Sequence, residues 1–104
     1  MKLLDIVVKD AIDPQLAATS RDEAITMLVD RLIEAKAVDP GHRDEFISAI
    51  IKRERRGSTG FGHGVAVPHV KHPEIDTLVA AVGVSHDGID FNSLDGNPVH
   101  SIFL

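Results

Sequence analysis

Six histidines and no cysteine in a chain of 104 residues leave imidazole as the natural nucleophile near neutral pH. With an ordinary pKa of about 6.5 it is substantially neutral at pH 7, and its free nitrogen lone pair can attack an electrophile such as phosphorus. One histidine stands in a special setting. His69 ends the run Val65, Ala66, Val67, Pro68, in which proline restricts the backbone as the chain leaves a short apolar strand. Upstream, Arg53 and Glu54 close an amphipathic segment and are followed by Gly57, Ser58, Thr59 and Gly60. On a helical wheel Arg53 and Glu54 fall on the same half as Phe46, Ile50 and Ile51, whereas Lys52 and Arg56 point away. A charged pair on that half is costly unless it is paired or aimed at a site, although a helix-terminal arginine also serves the macrodipole.

Other chemistries fit less well. The glycines at 57, 60, 62 and 64 suggest backbone amides cradling phosphate, but no Gly-Lys-Ser/Thr follows, and the run comes after a helix where nucleotide loops follow a strand. A metal site could draw on His69 and His72 with His63, His86 or Glu74, yet the i, i+3 histidine pair is bracketed by Pro68 and Pro73 and lacks the His-Glu-x-x-His pattern. No metal and no cofactor is expected. His72, His86 and His100 read as solvated or strand-packed. A serine nucleophile elbow is absent.

The net charge of −5 argues against nucleic acid, whose phosphates require a basic surface; the one basic cluster is Lys52, Arg53, Arg55 and Arg56. No apolar run approaches the roughly 20 residues of a membrane-spanning helix, and Asp5 interrupts an early apolar stretch that has no cleavage pattern, so a cytoplasmic protein is expected. The length allows one domain, residues 1–104.

The elements that must position these residues follow from periodicity. After an apolar start at Leu3, Leu4, Ile6, Val7 and Val8, Ala11 to Ala18 reads as an edge strand or extended connection around Pro14. Ser20 and Glu23 form a capping box, and Ile25, Leu28, Val29, Leu32 and Ile33 repeat with helical spacing, predicting a helix that ends near Val38. Asp39, Pro40 and Gly41 mark a turn. A second helix presents Phe46, Ile47, Ile50 and Ile51 and stops at Gly57, read as a left-handed cap. The glycine-rich stretch to Gly64 reads as loop, and Val65 to Val67 as a brief strand. Leu78 to Val84 predicts a strand covered on both faces, with a turn at Asp87 and Gly88 before Ile89 to Phe91. Asn92 to Pro98 reads as loop and Val99 to Leu104 as a buried strand. An apolar strand at that point predicts cover from further chain or from a second copy, hence a homodimer.

The stretch from Lys52 to Lys71, Lys-Arg-Glu-Arg-Arg-Gly-Ser-Thr-Gly-Phe-Gly-His-Gly-Val-Ala-Val-Pro-His-Val-Lys, resembles the active-site segment of phosphotransferase-system IIA domains of the fructose and mannitol class, above all the nitrogen-regulatory branch. Phe91 to Val99 resembles the same branch. The resemblance implies an α/β fold with a mixed β-sheet flanked by helices, incomplete at the C-terminus: family members continue beyond the equivalent of Leu104 and carry a second, facing histidine there. It assigns phosphate acceptance to His69, support of the phosphohistidine to Arg53, and the surroundings of the phosphate to Glu54, Ser58, Thr59 and Gly60. It implies the phosphocarrier HPr or its nitrogen-branch counterpart as donor, and a IIB domain or a regulated protein as the next partner. Val70 departs from the small residue usual after the active histidine. Two roles fit: a relay in sugar uptake, or a regulatory module controlling partners by its phosphorylation state.

Overall fold

The structure is a computed structural model that describes residues 6–69, 79–93 and 95–104. Leu3 and Leu4, Val70, His72 and Glu74, and the first residue of the expected strand at Leu78 lie outside the described residues. Five strands form one mixed sheet: β1 (Val7–Asp13), β2 (Gly60–Gly62), β3 (Val65–Ala66), β4 (Ala80–Ile89) and β5 (Val99–Phe103), in the order β1-β4-β5-β3-β2. β1 runs parallel to β4 and β3 parallel to β5, while β4/β5 and β2/β3 are antiparallel. β1 is an edge strand, but it lies earlier than the expected Ala11 to Ala18 and ends before Pro14.

Two helices accompany the sheet, α1 (Arg21–Glu34) and α2 (Arg43–Arg56), separated by a short 3-10 turn at Pro40–His42. Ser20 caps α1, its hydroxyl accepting from the Glu23 amide at 3.2 Å. The return arm of the expected capping box is displaced by one residue, since the Glu23 carboxyl accepts from the Thr19 amide at 2.7 Å. The helix ends at Glu34, short of Val38. Lys36 turns left-handed (φ 61°), and the amides of Lys36 and Ala37 donate back to the carbonyls of Ile33 and Leu32, a Schellman closure made without glycine.

The alternation in β4 sets how the layers stack. Ala81, Gly83 and Ser85 are buried, whereas Ala80, Val82 and Val84 are half-buried, so this strand is covered fully on one face only. Beneath that face lie Leu28 of α1 and Leu16; a methyl group at Gly83 would come within 3.0 Å of Leu16 and 3.1 Å of Leu28, which explains the glycine. Helix α2 packs on α1 through Ile25, Val29, Phe46 and Ile50. Arg43 ties the two helices together, its guanidinium meeting Asp30 at 2.5 and 3.1 Å, and these charge-assisted bonds raise its pKa above the ordinary value.

Three expectations are corrected. Asp87 and Gly88 do not separate two strands: β4 continues to Ile89 through an irregularity in its pairing with β5, where Gly88 has φ 84° and its amide donates to the Ser85 hydroxyl at 3.1 Å. The glycine-rich stretch is not all loop, because Gly60–Gly62 forms β2 and turns through His63 (φ 56°) and Gly64 into β3. Gly57 is not left-handed; its φ of 170° is extended backbone. At the chain's other end Val99 and Ile102 are buried, and Phe103 and Leu104 half-buried. Across the less covered face, Ile12, Val82 and Phe103 are paired in one row, with Ile12 41% exposed.

Candidate functional site

The C-terminal end of β3, the start of β2 and the last turn of α2 meet at one end of the sheet. Their junction begins with Glu54, which the helix wheel turns inward and which is only 1% exposed. One carboxyl oxygen accepts from the Thr59 amide at 2.8 Å and the other from the Thr59 hydroxyl at 2.8 Å. The Ser58 hydroxyl lies 3.2 Å from the first of these oxygens. A buried carboxyl with this set of donors is satisfied, and it clamps the loop that follows the helix.

From the clamped loop the connection runs to His69. The Thr59 carbonyl accepts from the Val67 amide at 3.3 Å, which fixes the chain leaving β3. Pro68 is buried, and His69 emerges exposed with its Nδ1 2.9 Å from the Val67 carbonyl. A carbonyl only accepts, so Nδ1 carries the proton and Nε2 holds the free lone pair. This tautomer is assigned from the hydrogen bond. His100 has the same arrangement, Nδ1 against the Ser85 carbonyl at 2.9 Å, but its Nε2 packs toward Gly88, 3.3 Å from where a side chain there would begin.

Arg53 is half-exposed at the end of α2, and one of its terminal nitrogens donates to the Gly57 carbonyl at 2.8 Å. That bond caps the helix, and the other guanidinium N–H groups have no partner among the described residues. No direct hydrogen bond joins Arg53 to His69. Both are instead anchored to the same four-residue loop, Arg53 at Gly57 and His69 by way of Val67 at Thr59.

The loop amides differ from the phosphate cradle expected of them. The amide of Gly57 donates to the Glu54 carbonyl, that of Thr59 to the Glu54 side chain, and that of Gly60 to the Ser58 hydroxyl at 3.0 Å. Thr59 and Gly60 therefore shape the site rather than offer free donors to an anion. The Ser58 proton goes to the Phe91 carbonyl at 2.6 Å, a contact that periodicity could not foresee. Through it the segment after β4 lies along β2, and a methyl group at Gly60 would fall 2.3 Å from the Ser93 hydroxyl oxygen, which is buried without a partner among the described residues. Further along, Asp95 accepts from the backbone amide of Asn97, which chiefly holds its carboxyl below the ordinary range.

The fold is a mixed α/β sheet that presents the exposed His69 at the end of β3, next to a glycine-lined hairpin. The family model described as "Phosphoenolpyruvate-dependent sugar phosphotransferase system, EIIA 2" matches residues 5–104, and the chain belongs to that family. It is 34% identical over its whole length to a nitrogen regulatory protein of Bradyrhizobium diazoefficiens, covering 66% of that protein. It is also 34% identical to the fructose-specific EIIABC component of Bacillus subtilis, of which it covers 16%. Among solved structures, the nitrogen regulatory protein IIA-Ntr of Neisseria meningitidis superposes with a TM-score of 0.83 at 25% identity, over 95% of this chain and 66% of that one. The chain thus spans less than two thirds of the length of these relatives. The resemblance of the Lys52–Lys71 segment and the expected mixed α/β fold are both borne out. Among the described residues no helix is long and apolar enough to cross a membrane.

Proposed function

We propose that the protein is a cytoplasmic phosphohistidine relay of the phosphotransferase system, in which His69 accepts a phosphoryl group from phospho-HPr or its nitrogen-branch counterpart and passes it on. The observation that carries this reading is the bond from His69 Nδ1 to the Val67 carbonyl, which places the ring's lone pair on Nε2. In the transfer, the Nε2 lone pair forms a bond to phosphorus as the donor's phosphorus–nitrogen bond breaks, and the electron pair of that bond returns to the donor imidazole. The His69 ring becomes cationic, with Nδ1–H still held by the Val67 carbonyl. That oxygen stabilises the positive charge, and the charged ring remains a good leaving group for the next step. Nitrogen-15 spectra of the phosphorylated protein should place phosphorus on Nε2; attachment at Nδ1 would contradict the assignment.

In this reading Arg53 meets the phosphoryl oxygens with the N–H groups that the Gly57 bond leaves over, while Glu54, Ser58, Thr59 and Gly60 support the site by holding its shape. Arg53→Lys keeps the charge but loses the planar fork that can serve the loop carbonyl and a phosphate together. Phosphate transfer should fall by about tenfold with the melting temperature nearly unchanged, since the position is half-exposed. Transfer at the wild-type rate would remove Arg53 from the site.

The next partner differs between the two named relatives. The name of the fructose component joins A, B and C parts, which favours a IIB domain as acceptor; the nitrogen regulatory relatives favour a protein regulated by the phosphorylation state. Pull-down with the phosphorylated and unphosphorylated protein separates these, because a regulated partner distinguishes the two forms and a IIB domain removes the phosphate. Homodimerisation belongs to the same reading, through the half-covered row of Ile12, Val82 and Phe103. Sedimentation across a concentration series should show a monomer–dimer equilibrium that Ile12→Lys shifts to monomer; a monomer throughout would exclude it.

A further inference from the structure

β2 is the last strand of the sheet, and side chains from the segment after β4 rest on its glycines. A methyl group at Gly60 would fall 2.3 Å from the Ser93 hydroxyl oxygen and 3.0 Å from Ser93 Cβ, and one at Gly62 would fall 3.2 Å from the Asp95 carboxyl. Gly60 is not among the glycines with left-handed backbone, so its lack of a side chain answers chiefly to Ser93 and not to conformation. The Ser93 hydroxyl oxygen is buried and has no partner among the described residues, so packing on Gly60, and not a hydrogen bond, sets its place. Two bonds hold the segment there. The Phe91 carbonyl, on a residue with no exposed surface, accepts from the Ser58 hydroxyl at 2.6 Å, and the Ser93 carbonyl accepts from the Gly96 amide at 3.0 Å.

Gly60 stands close to the histidine in the chain of contacts, although Ser93 is remote from it in sequence. Gly60 pairs with Ala66 across β2 and β3, and its neighbour Thr59 accepts from the Val67 amide. The Val67 carbonyl then holds His69 Nδ1. A displacement of β2 is therefore passed through Ala66 and Val67 to the imidazole. In-line attack on phosphorus depends on the placement of the attacking nitrogen, and an error of about 1 Å can cost about a hundredfold in rate.

We infer that Ser93, seated by the Phe91 carbonyl, is a positioning residue for phosphoryl transfer that acts through Gly60 to place the His69 ring, a conclusion that rests on His69 being the phosphoryl acceptor. Glu54 holds the loop before β2 from the helix, and Phe91 and Ser93 hold it from the segment after β4.

The test uses the intact protein, well below its melting temperature, with phospho-HPr and the small molecule phosphoramidate as alternative donors. Gly60→Ala should lower the limiting rate constant by about tenfold or more with both donors, while the half-saturating concentration of phospho-HPr stays within about twofold, because the nitrogen is misplaced and the donor surface is not. Adding Ser93→Gly to Gly60→Ala should restore the rate to within about threefold of the wild type, and adding Ser93→Ala, which keeps Cβ, should restore it in part. A role in stability alone would lower the melting temperature and leave the rate of the folded protein unchanged. Should Gly60→Ala not fold, Ser58→Ala decides: it removes the bond to the Phe91 carbonyl without adding volume and should slow transfer severalfold from both donors. A wild-type rate in Gly60→Ala or, where that variant does not fold, in Ser58→Ala, no recovery on adding Ser93→Gly, or a loss confined to phospho-HPr would overturn the positioning role alone. No phosphate on wild-type His69 from either donor would overturn the reading of the site and this inference with it.

Discussion

His69→Ala should abolish acid-labile phosphate incorporation, a loss of at least about a thousandfold, because the phosphoryl group would have no nitrogen to bond. The useful controls are the other histidines. His100→Ala is the most demanding, since His100 also holds its Nδ1 proton against a carbonyl. Its Nε2 faces the backbone at Gly88, however, and Ser85 beside it supplies no cation to neutralise a phosphate. His63 sits on the β2–β3 turn with left-handed backbone. Variants at His100, His63 and His72 should each take up phosphate at nearly the wild-type level. The measurement is radiolabel transferred from phospho-HPr, followed by acid treatment to show that the bond is to nitrogen. Label persisting in His69→Ala, or lost in His100→Ala, would move the acceptor elsewhere. The outer surface of His69 contributes little to packing, so its variant should melt close to the wild type and the loss can be read as chemistry.

The helices were legible in the sequence because each is announced by local pattern. Ile25, Leu28, Val29 and Leu32 repeat every three or four residues, and all are buried in the fold. Proline before His69 restricts the chain wherever it occurs. What escaped detection depends on contacts between distant segments. Gly60–Gly62 has no side-chain alternation to mark a strand, and becomes one by pairing with β3. Asp87 and Gly88 are turn formers, but a strand irregularity uses the same residues, and only the partner strand decides between the two. Lys36 ends α1 in a conformation usually left to glycine, so no residue type signalled the boundary. Within the site, composition could place Glu54 on the inward half of α2. It could not show that Thr59 would occupy both carboxyl oxygens, nor that Ser58 would reach across to Phe91, 33 positions later.

Removal of the Glu54 carboxyl should be the most damaging single change to the fold at this end of the sheet. In Glu54→Ala the amide and hydroxyl of Thr59, a residue with no exposed surface, lose their acceptors together, and a cavity opens where the longer side chain stood. Leaving a buried donor unpaired costs about 1–3 kcal/mol, so two such groups and the cavity should lower stability by about 3–5 kcal/mol. That is a large part of the roughly 5–15 kcal/mol that holds a domain together, and urea unfolding should show it as a lower midpoint. Glu54→Gln separates shape from charge. Its amide oxygen can accept from the Thr59 amide, and its amide nitrogen can donate to the Thr59 hydroxyl oxygen, so the clamp is rebuilt with one bond reversed. This variant should recover most of the lost stability. It should also retain phosphate uptake at His69, because the path from Thr59 through the Val67 amide depends on where the loop lies and not on the charge that holds it. If Glu54→Ala unfolds at the wild-type midpoint, the clamp is not what orders the loop. If Glu54→Gln is as stable as the wild type yet takes up no phosphate, the Glu54 carboxylate acts on the phosphoryl transfer itself, and its place is among the residues that touch the reacting atoms.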